Sequence, residues 1–316
     1  MREYTSFLQP HLNAYVTFQM ASDRFSTTWE TSLFLFDKHL TANYPQKAEL
    51  SQEMVDTWCK QRKTEKNNSC RSRIYPIVSL IRYLRQRRIT DVEEPELPRK
   101  ERRTYIPHAF TENELANFFR ACDEISNLPK LNRYASKRII VPVLFRLLYS
   151  SGIRTCEARM LRVEDVDLSH GILNIRLSKG TAQHYAVLHD SMLELMRQYD
   201  NAIQKLHPNR IYFFTTNRGS FPSRTWLAKN FCETWYKYNN AYSTAYELRH
   251  NYAVENINSW TNIGFEFDAK LLYLSKSMGH CNVEITKYYY SLVPGMADIL
   301  EANSESDFVI PEVDYD

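Results

Sequence analysis

The stretch IIVPVLFRLLYSSGIRTCEARML, residues 139–161, decides the fold class. Its first half is apolar at nearly every position, which predicts a helix buried on most of its surface, and Gly152 stops that helix as glycines commonly do. Arg154 and Glu157 follow at a spacing that makes them neighbours on one helical turn. Alone, such a pair is an ordinary surface contact. Its meaning depends on what else the chain brings near it.

Working outward, the apolar period changes to two at Ile172, Asn174 and Arg176, and Tyr185-Ala186-Val187-Leu188 is a matching run. With Ser178-Lys179-Gly180 between them, these predict a β-hairpin. Upstream, Thr111-Glu112-Asn113-Glu114 is a capping box before the periodic residues Leu115, Phe118 and Phe119. Residues 1–92 carry four runs at helical spacing: Phe7 to Phe18, Trp29 to Leu40, Met54 to Trp58, and Ile74 to Leu84. Turn chemistry separates them at Ser22-Asp23, Asn43-Tyr44-Pro45 and Asn67-Asn68-Ser69. Pro95, Pro98 and Pro107 forbid a continuous helix through 93–107.

The expectation is a mainly α chain with a small β-hairpin, in four parts: a helical domain at 1–92, a basic Pro-containing linker at 93–107, a second domain at 108–294 and an acidic tail at 295–316. Within the tail, Met296 to Ala302 reads as a helix and Phe308-Val309-Ile310 as an apolar anchor.

The 316 residues are 43% hydrophobic, ample for packed cores. Six cysteines fall at wide, irregular spacings without a CxxC pair, against a disulfide framework or a zinc cluster and in favour of reduced thiols in the cytoplasm. The N-terminus lacks a signal-type apolar core, and no stretch of about 18 apolar residues occurs, so a cytoplasmic protein off the membrane is expected.

Net charge is only +3, but it is unevenly placed. Between Lys60 and Arg103, fourteen Lys or Arg face six acids, whereas seven acids and no basic residue follow Lys287. The basic strip suits a phosphate backbone, with Arg71, Arg73, Arg99, Lys100, Arg102 and Arg103 as its candidate contacts.

Beyond the helix domain, the segment Thr286-Lys287-Tyr288-Tyr289-Tyr290 follows Gly279-His280, and Tyr246-Glu247-Leu248-Arg249-His250 lies upstream of both. With Arg154, these offer a phenol nucleophile, two arginines able to fork a phosphate, and an imidazole that titrates near neutrality. Lys179 at the hairpin tip is a mobile ammonium suited to protonating a leaving group. No P-loop glycine pattern and no carboxylate metal cluster is evident, so no cofactor or metal is expected.

In combination these segments resemble the tyrosine recombinases, or phage-type integrases, of compact Xer-like size. Gly152, Ile153, Arg154, Glu157 and Leu161 match the family's first arginine turn, Lys179-Gly180 its hairpin lysine, Leu248-Arg249-His250 its second arginine, and Gly279-His280 its glycine-histidine pair. The family's nucleophile lies nine residues past that histidine behind a threonine, which selects Tyr289, with Thr286 before it.

The resemblance implies a SAM-like helical core-binding domain and a catalytic domain that clamp opposite faces of duplex DNA, a linker that crosses the backbone, and a 3′-phosphotyrosyl intermediate. It also implies a homotetramer on two DNA sites, monomeric when free, with a C-terminal segment packed on a neighbour. Arg154, Arg249 and His280 would stabilise the phosphate, Lys179 act as general acid, Glu157 support the arginine, and His250 pack structurally. Tyr246 stands where the family most often has histidine; its phenol can hydrogen-bond the phosphate but is a poor neutral-pH base, and His280 is the better candidate for orienting a phosphate oxygen or assisting the nucleophile. Between Arg249 and Gly279, the stretch NINSWTNIGFEFD is expected to carry a small insertion. A mobile-element recombinase is expected; the competing readings are a catalytically impaired DNA-binding relative and a type IB topoisomerase-like enzyme.

Overall fold

A computed structural model describes residues 2–22, 24–101, 107–127, 135–176, 183–260, 267–280, 282–287 and 289. The chain divides into two compact units, Met1–Tyr105 and Ile106–Asp316.

The first unit holds α1 (Gln9–Ala21), α2 (Thr27–Asn43), α3 (Gln52–Cys59) and α4 (Asn67–Gln86). Their inward stripes close one core in which Leu12, Phe36, Leu40, Val55, Ile77, Ile81 and Leu84 lose all contact with solvent. The break expected at Asn67-Asn68-Ser69 lies earlier, within 60–66, and the two asparagines open α4 instead. They do so because their side chains have other work. Asn68 both donates to and accepts from the Glu101 backbone (2.8 and 3.1 Å), Asn67 donates to Arg99 O (3.2 Å), and Arg71 Nη1 donates to Pro98 O (2.6 Å).

The proline-rich segment therefore packs on α4, and Val92 just ahead of it is buried in the same core. A chain that cannot form a ladder of its own has its backbone groups satisfied by side chains, and the division between units falls at 105/106, within the segment 93–107 read as a linker.

This geometry also separates the basic strip. Arg73, expected at a phosphate, has its guanidinium tied to Glu65 twice (2.8 and 2.7 Å) and to Trp58 O (2.5 Å), with only 10% of its side chain exposed. It braces the loop between α3 and α4. Arg99 and Lys100 are exposed; Arg102 and Arg103 lie outside the described residues.

Asp37 holds the start of the unit. Its fully buried carboxylate accepts from Thr5 N (2.8 Å), Ser6 N (2.9 Å) and Ser6 Oγ (2.6 Å), just ahead of α1. A carboxylate on α2 thus satisfies the backbone of the segment that leads into α1.

In the second unit, α5 (Glu112–Glu124) begins with the predicted capping box, Glu114 N donating to Thr111 Oγ1 (3.2 Å) and Thr111 N to Glu114 Oε2 (2.9 Å). The apolar run becomes α6 (Ala135–Ser151), where Ile140, Val141, Leu144, Phe145 and Leu147 are wholly buried. Around it lie α7 (Thr155–Met160), a three-stranded antiparallel sheet and α8 (Asp190–Leu206).

The predicted hairpin is β2 (Ile172–Ile175) paired with β3 (His184–Val187) in the register Ile172↔Val187 to Ile175↔His184. The strand β1 (Val166–Asp167) pairs on the other edge of β2. Two residues are too few to show a period, so β1 was invisible in the sequence. Helices α9 (Arg224–Trp235), α10 (Glu247–Asn258), α11 (Phe267–Ser277) and α12 (Glu284–Lys287) follow. The residues Asn256 to Asn258 of the supposed insertion end α10, and 261–266 lie outside the described residues. No described helix is long and apolar enough to cross a membrane.

Asp37→Ala should destabilise the first unit by about 2–4 kcal/mol, because two buried donors of Ser6 and the part-buried Thr5 N lose their acceptor. Urea unfolding with unchanged m-value measures it, and a loss under about 0.5 kcal/mol rejects the anchoring role.

Candidate active site

Two glycine turns frame the site. Gly152 (φ 63°) ends α6 and Gly279 (φ 65°) follows α11, both in the left-handed region that glycine enters without strain. Space imposes the same choice. A Cβ at 152 would lie 2.1 Å from Tyr252 Cδ1, and one at 279 would lie 2.5 Å from His184 Cε1. The turns present carbonyl oxygens to two arginines, which join them.

Arg249, on the first turns of α10, is 1% exposed. It donates from Nη1 to Gly152 O (2.5 Å), and from Nη2 to Met278 O (2.8 Å) and His280 Nε2 (2.9 Å). Arg154 Nη2 donates to Gly279 O (2.7 Å). Glu157 holds Arg154 in place, accepting from its backbone N (2.7 Å) and from Nη1 (2.6 Å) with no side-chain exposure of its own. The fork-shaped donor set of arginine suits this bridging, and a lysine could not span it.

No carboxylate hydrogen-bonds Arg249 among the described residues, and its Nε has no hydrogen-bond partner there. Burial lowers its pKa from the usual arginine value, Arg154 adds to that, and Tyr289, Tyr246 and Glu157 oppose it. An arginine stays protonated through such a shift, so the pocket retains a buried positive charge held by carbonyl dipoles.

His280 links the cage to the chain that follows. Because its Nε2 accepts from Arg249, the hydrogen-bond network assigns its proton to Nδ1, which donates to the wholly buried Thr286 Oγ1 (2.7 Å). Burial, then the charges of Arg249 and Arg154, with His184 adding, push its pKa down to about 4, against the pull of Glu157. It is neutral at pH 7.

The ring of Tyr289 is 3% exposed and packs with Ala253, Ile257, Leu274 and Met278. It lies nearly parallel to the imidazole of His280 (centroids 6.3 Å, planes 15° apart) and 5.5 Å from that of His250. His250 in turn meets Tyr246 edge to face at 4.9 Å, and burial with the adjacent Arg249 charge lowers its pKa to about 4. Tyr246 is 42% exposed.

Of the residues singled out in the sequence, Arg154, Glu157, Arg249, His280 and Tyr289 converge here, with Tyr246 at the rim. Lys179, Tyr288 and Tyr290 lie outside the described residues. Sequence reasoning missed His184, a buried histidine on β3 whose Nε2 is 3.9 Å from Glu157 Oε2, and Tyr252, which fills the space beside Gly152. Neither carries a motif of its own. Among the described residues no group of three His, Cys, Asp or Glu could hold a metal ion. The five described cysteines are free thiols; Cys59, Cys70 and Cys122 are buried, Cys156 half-buried and Cys232 exposed.

A fold of this kind, with two arginines and a histidine drawn around a tyrosine, defines a class. Residues 109–294 match the model of the phage integrase family, and the chain belongs to that family. It is 26% identical over 205 residues to the tyrosine recombinase XerD of Staphylococcus saprophyticus, an alignment covering 63% of this chain and 61% of that one. The chain thus spans less than two thirds of that relative's length.

Two solved structures share the fold. XerH site-specific recombinase bound to a palindromic difH substrate, in a post-cleavage complex, has a TM-score of 0.60 at 15% identity, covering 88% of this chain and 79% of that one. A lambda integrase tetramer bound to a Holliday junction has 0.59 at 13%, covering 90% and 77%.

Because the folded pKa values of His280 and His250 lie below the ordinary 6.5, the native state favours their neutral forms. Their contribution to stability is fully present above pH 6.5 and is lost as pH falls toward 4, where the unfolded chain binds protons that the folded one does not. The thermal midpoint should drop across that window, and His250→Asn should flatten the drop. An unchanged slope in that variant removes His250 from the account.

Proposed function

We propose that this chain is a site-specific DNA recombinase, acting in the cytoplasm, in which the Tyr289 oxygen attacks the scissile phosphate. A 3′-phosphotyrosyl ester forms and the 5′ oxygen leaves with a proton; the 5′-hydroxyl of a partner strand then attacks the ester and frees the phenol. The bond energy kept in the ester lets joining proceed without ATP.

One observation carries most of this reading: the Tyr289 ring lies beside His280 and His250, next to a buried Arg249 guanidinium with no carboxylate hydrogen-bonded to it among the described residues. A phosphate supplies the missing negative charge. In this proposal Arg154 and Arg249 hold the non-bridging oxygens through the transition state, where fixed cations act most strongly. Glu157 aims Arg154. Neutral His280 orients a phosphate oxygen or the phenol, and Lys179 protonates the leaving 5′ oxygen. Tyr246 faces the phosphate from the rim, where a phenol can hydrogen-bond but serves poorly as a neutral-pH base.

The partner is duplex DNA, met in the first unit by Arg71, Arg99, Lys100, Arg102 and Arg103. Four protomers on two sites form the working assembly, as the lambda integrase fold relative is a tetramer on a Holliday junction. The tail at 295–316 docks on a neighbour.

A nicked suicide duplex tests the chemistry, since only a phosphotyrosine enzyme becomes covalently trapped on it. Wild-type protein should form the adduct and Tyr289→Phe should form none; equal adduct in both sinks the choice of residue. Arg249→Lys should slow trapping by about 100- to 1,000-fold, losing the forked donor set. Affinity for DNA should fall steeply between 50 and 200 mM salt. Two-site plasmids separate strand exchange from simple relaxation. Sequencing the trapped DNA identifies the site, and with it whether a mobile element is served.

A further inference from the structure

His184 opens β3, the strand that follows the hairpin connection, and sits with 8% exposure inside the second unit. Its imidazole fills the volume beside Gly279 so closely that a methyl group there would lie 2.5 Å from Cε1 and 2.7 Å from Nδ1. On its other side, Nε2 is 3.9 Å from Glu157 Oε2. That oxygen is the one that accepts from Arg154 N, while Glu157 Oε1 accepts from Arg154 Nη1. The loop closes because Arg154 Nη2 donates to Gly279 O. Arg154, Glu157, His184 and Gly279 thus form a ring drawn from α7, the sheet and the turn after α11.

We infer that His184 is a positioning residue for Arg154, fixing the Glu157 carboxylate and the Gly279 carbonyl against which the guanidinium is aimed. The inference rests on the recombinase reading. Glu157 has no exposed side-chain surface, and His184 approaches its carboxylate from the sheet while Arg154 holds it from α7.

At 3.9 Å the contact to Glu157 is longer than a direct hydrogen bond. Binding of a phosphate by Arg154 draws the pair together and shortens it, as happens at sites whose hydrogen bonds tighten only with the reacting group in place. The same imidazole adds to the depression of the His280 pKa, so His184 is electrically in touch with both sides of the cage.

A packing role and a positioning role make different demands. Packing beside Gly279 needs only volume, which leucine provides. Positioning needs a polar group that reaches the carboxylate, which glutamine provides and leucine does not.

The test uses the full chain and a nicked duplex carrying the site recovered from the wild-type adduct. Single-turnover trapping is followed at saturating DNA, with DNA affinity and thermal midpoint measured on the same samples. His184→Leu should slow trapping by about 10- to 100-fold, the scale of a misplaced catalytic group, with DNA affinity changed by less than about threefold. His184→Gln should recover most of the rate.

In a Glu157→Gln background, His184→Leu should cost far less than in the wild type, because the two residues act through one contact. Wild-type trapping with His184→Leu as fast as wild type overturns the inference and leaves the recombinase reading standing. So does a His184→Leu loss of equal size in both backgrounds. Absence of any adduct in the wild type overturns the recombinase reading itself, and this inference with it.

Discussion

Arg249 buries a positive charge at the centre of the second unit, and the rest of the site is arranged around that fact. Taking a guanidinium out of water is costly unless its donors are met. Here Nη1 and Nη2 are met by the carbonyl oxygens of Gly152 and Met278 and by His280 Nε2, while Nε has no hydrogen-bond partner among the described residues. Two turns far apart in sequence, after α6 and after α11, are thereby fixed to one helix. The carbonyl dipoles satisfy hydrogen bonds without cancelling the charge. A carboxylate partner in the same place would have given a neutral, self-satisfied ion pair.

The two glycines are the backbone condition for this arrangement. Each adopts a positive φ and each is pressed by a ring, Tyr252 at one and His184 at the other, so any side chain would displace the turn that Arg249 bridges. Thr286 extends the same logic along the chain. By accepting from His280 Nδ1 it fixes the imidazole tautomer that Arg249 requires, and it stands three residues before Tyr289. The nucleophile candidate is thus connected to the buried cation through one histidine and one threonine, while its own ring is anchored in the small core of α10 and α11.

Much of this was legible in the residues. The apolar density of α6 and the glycine after it located the first turn, the period of two located β2 and β3, and the spacing of Arg154 to Glu157 predicted their contact. Asn67-Asn68-Ser69 was misread. Asparagine is common in turns because its side chain satisfies backbone groups, and here the groups it satisfies belong to Arg99 and Glu101, about thirty residues away. Arg73 was counted with the basic strip for a related reason: charge counting sees a cation, and only the fold shows that Glu65 and the Trp58 carbonyl already hold it. His184 carried no signal, since one histidine in a short strand is as compatible with packing as with a site.

By itself, the sequence determined which local shapes the chain can take and which chemical groups it owns, because helical and strand periods, caps and glycine stops act over a few residues. It determined that a tyrosine, two arginines and a histidine were available. Only the tertiary structure decided which of them meet, which cations are already neutralised, and which imidazoles are held uncharged. Those properties depend on burial and on distances between residues more than a hundred positions apart, such as Arg154 and Gly279, and no local pattern encodes a desolvation energy.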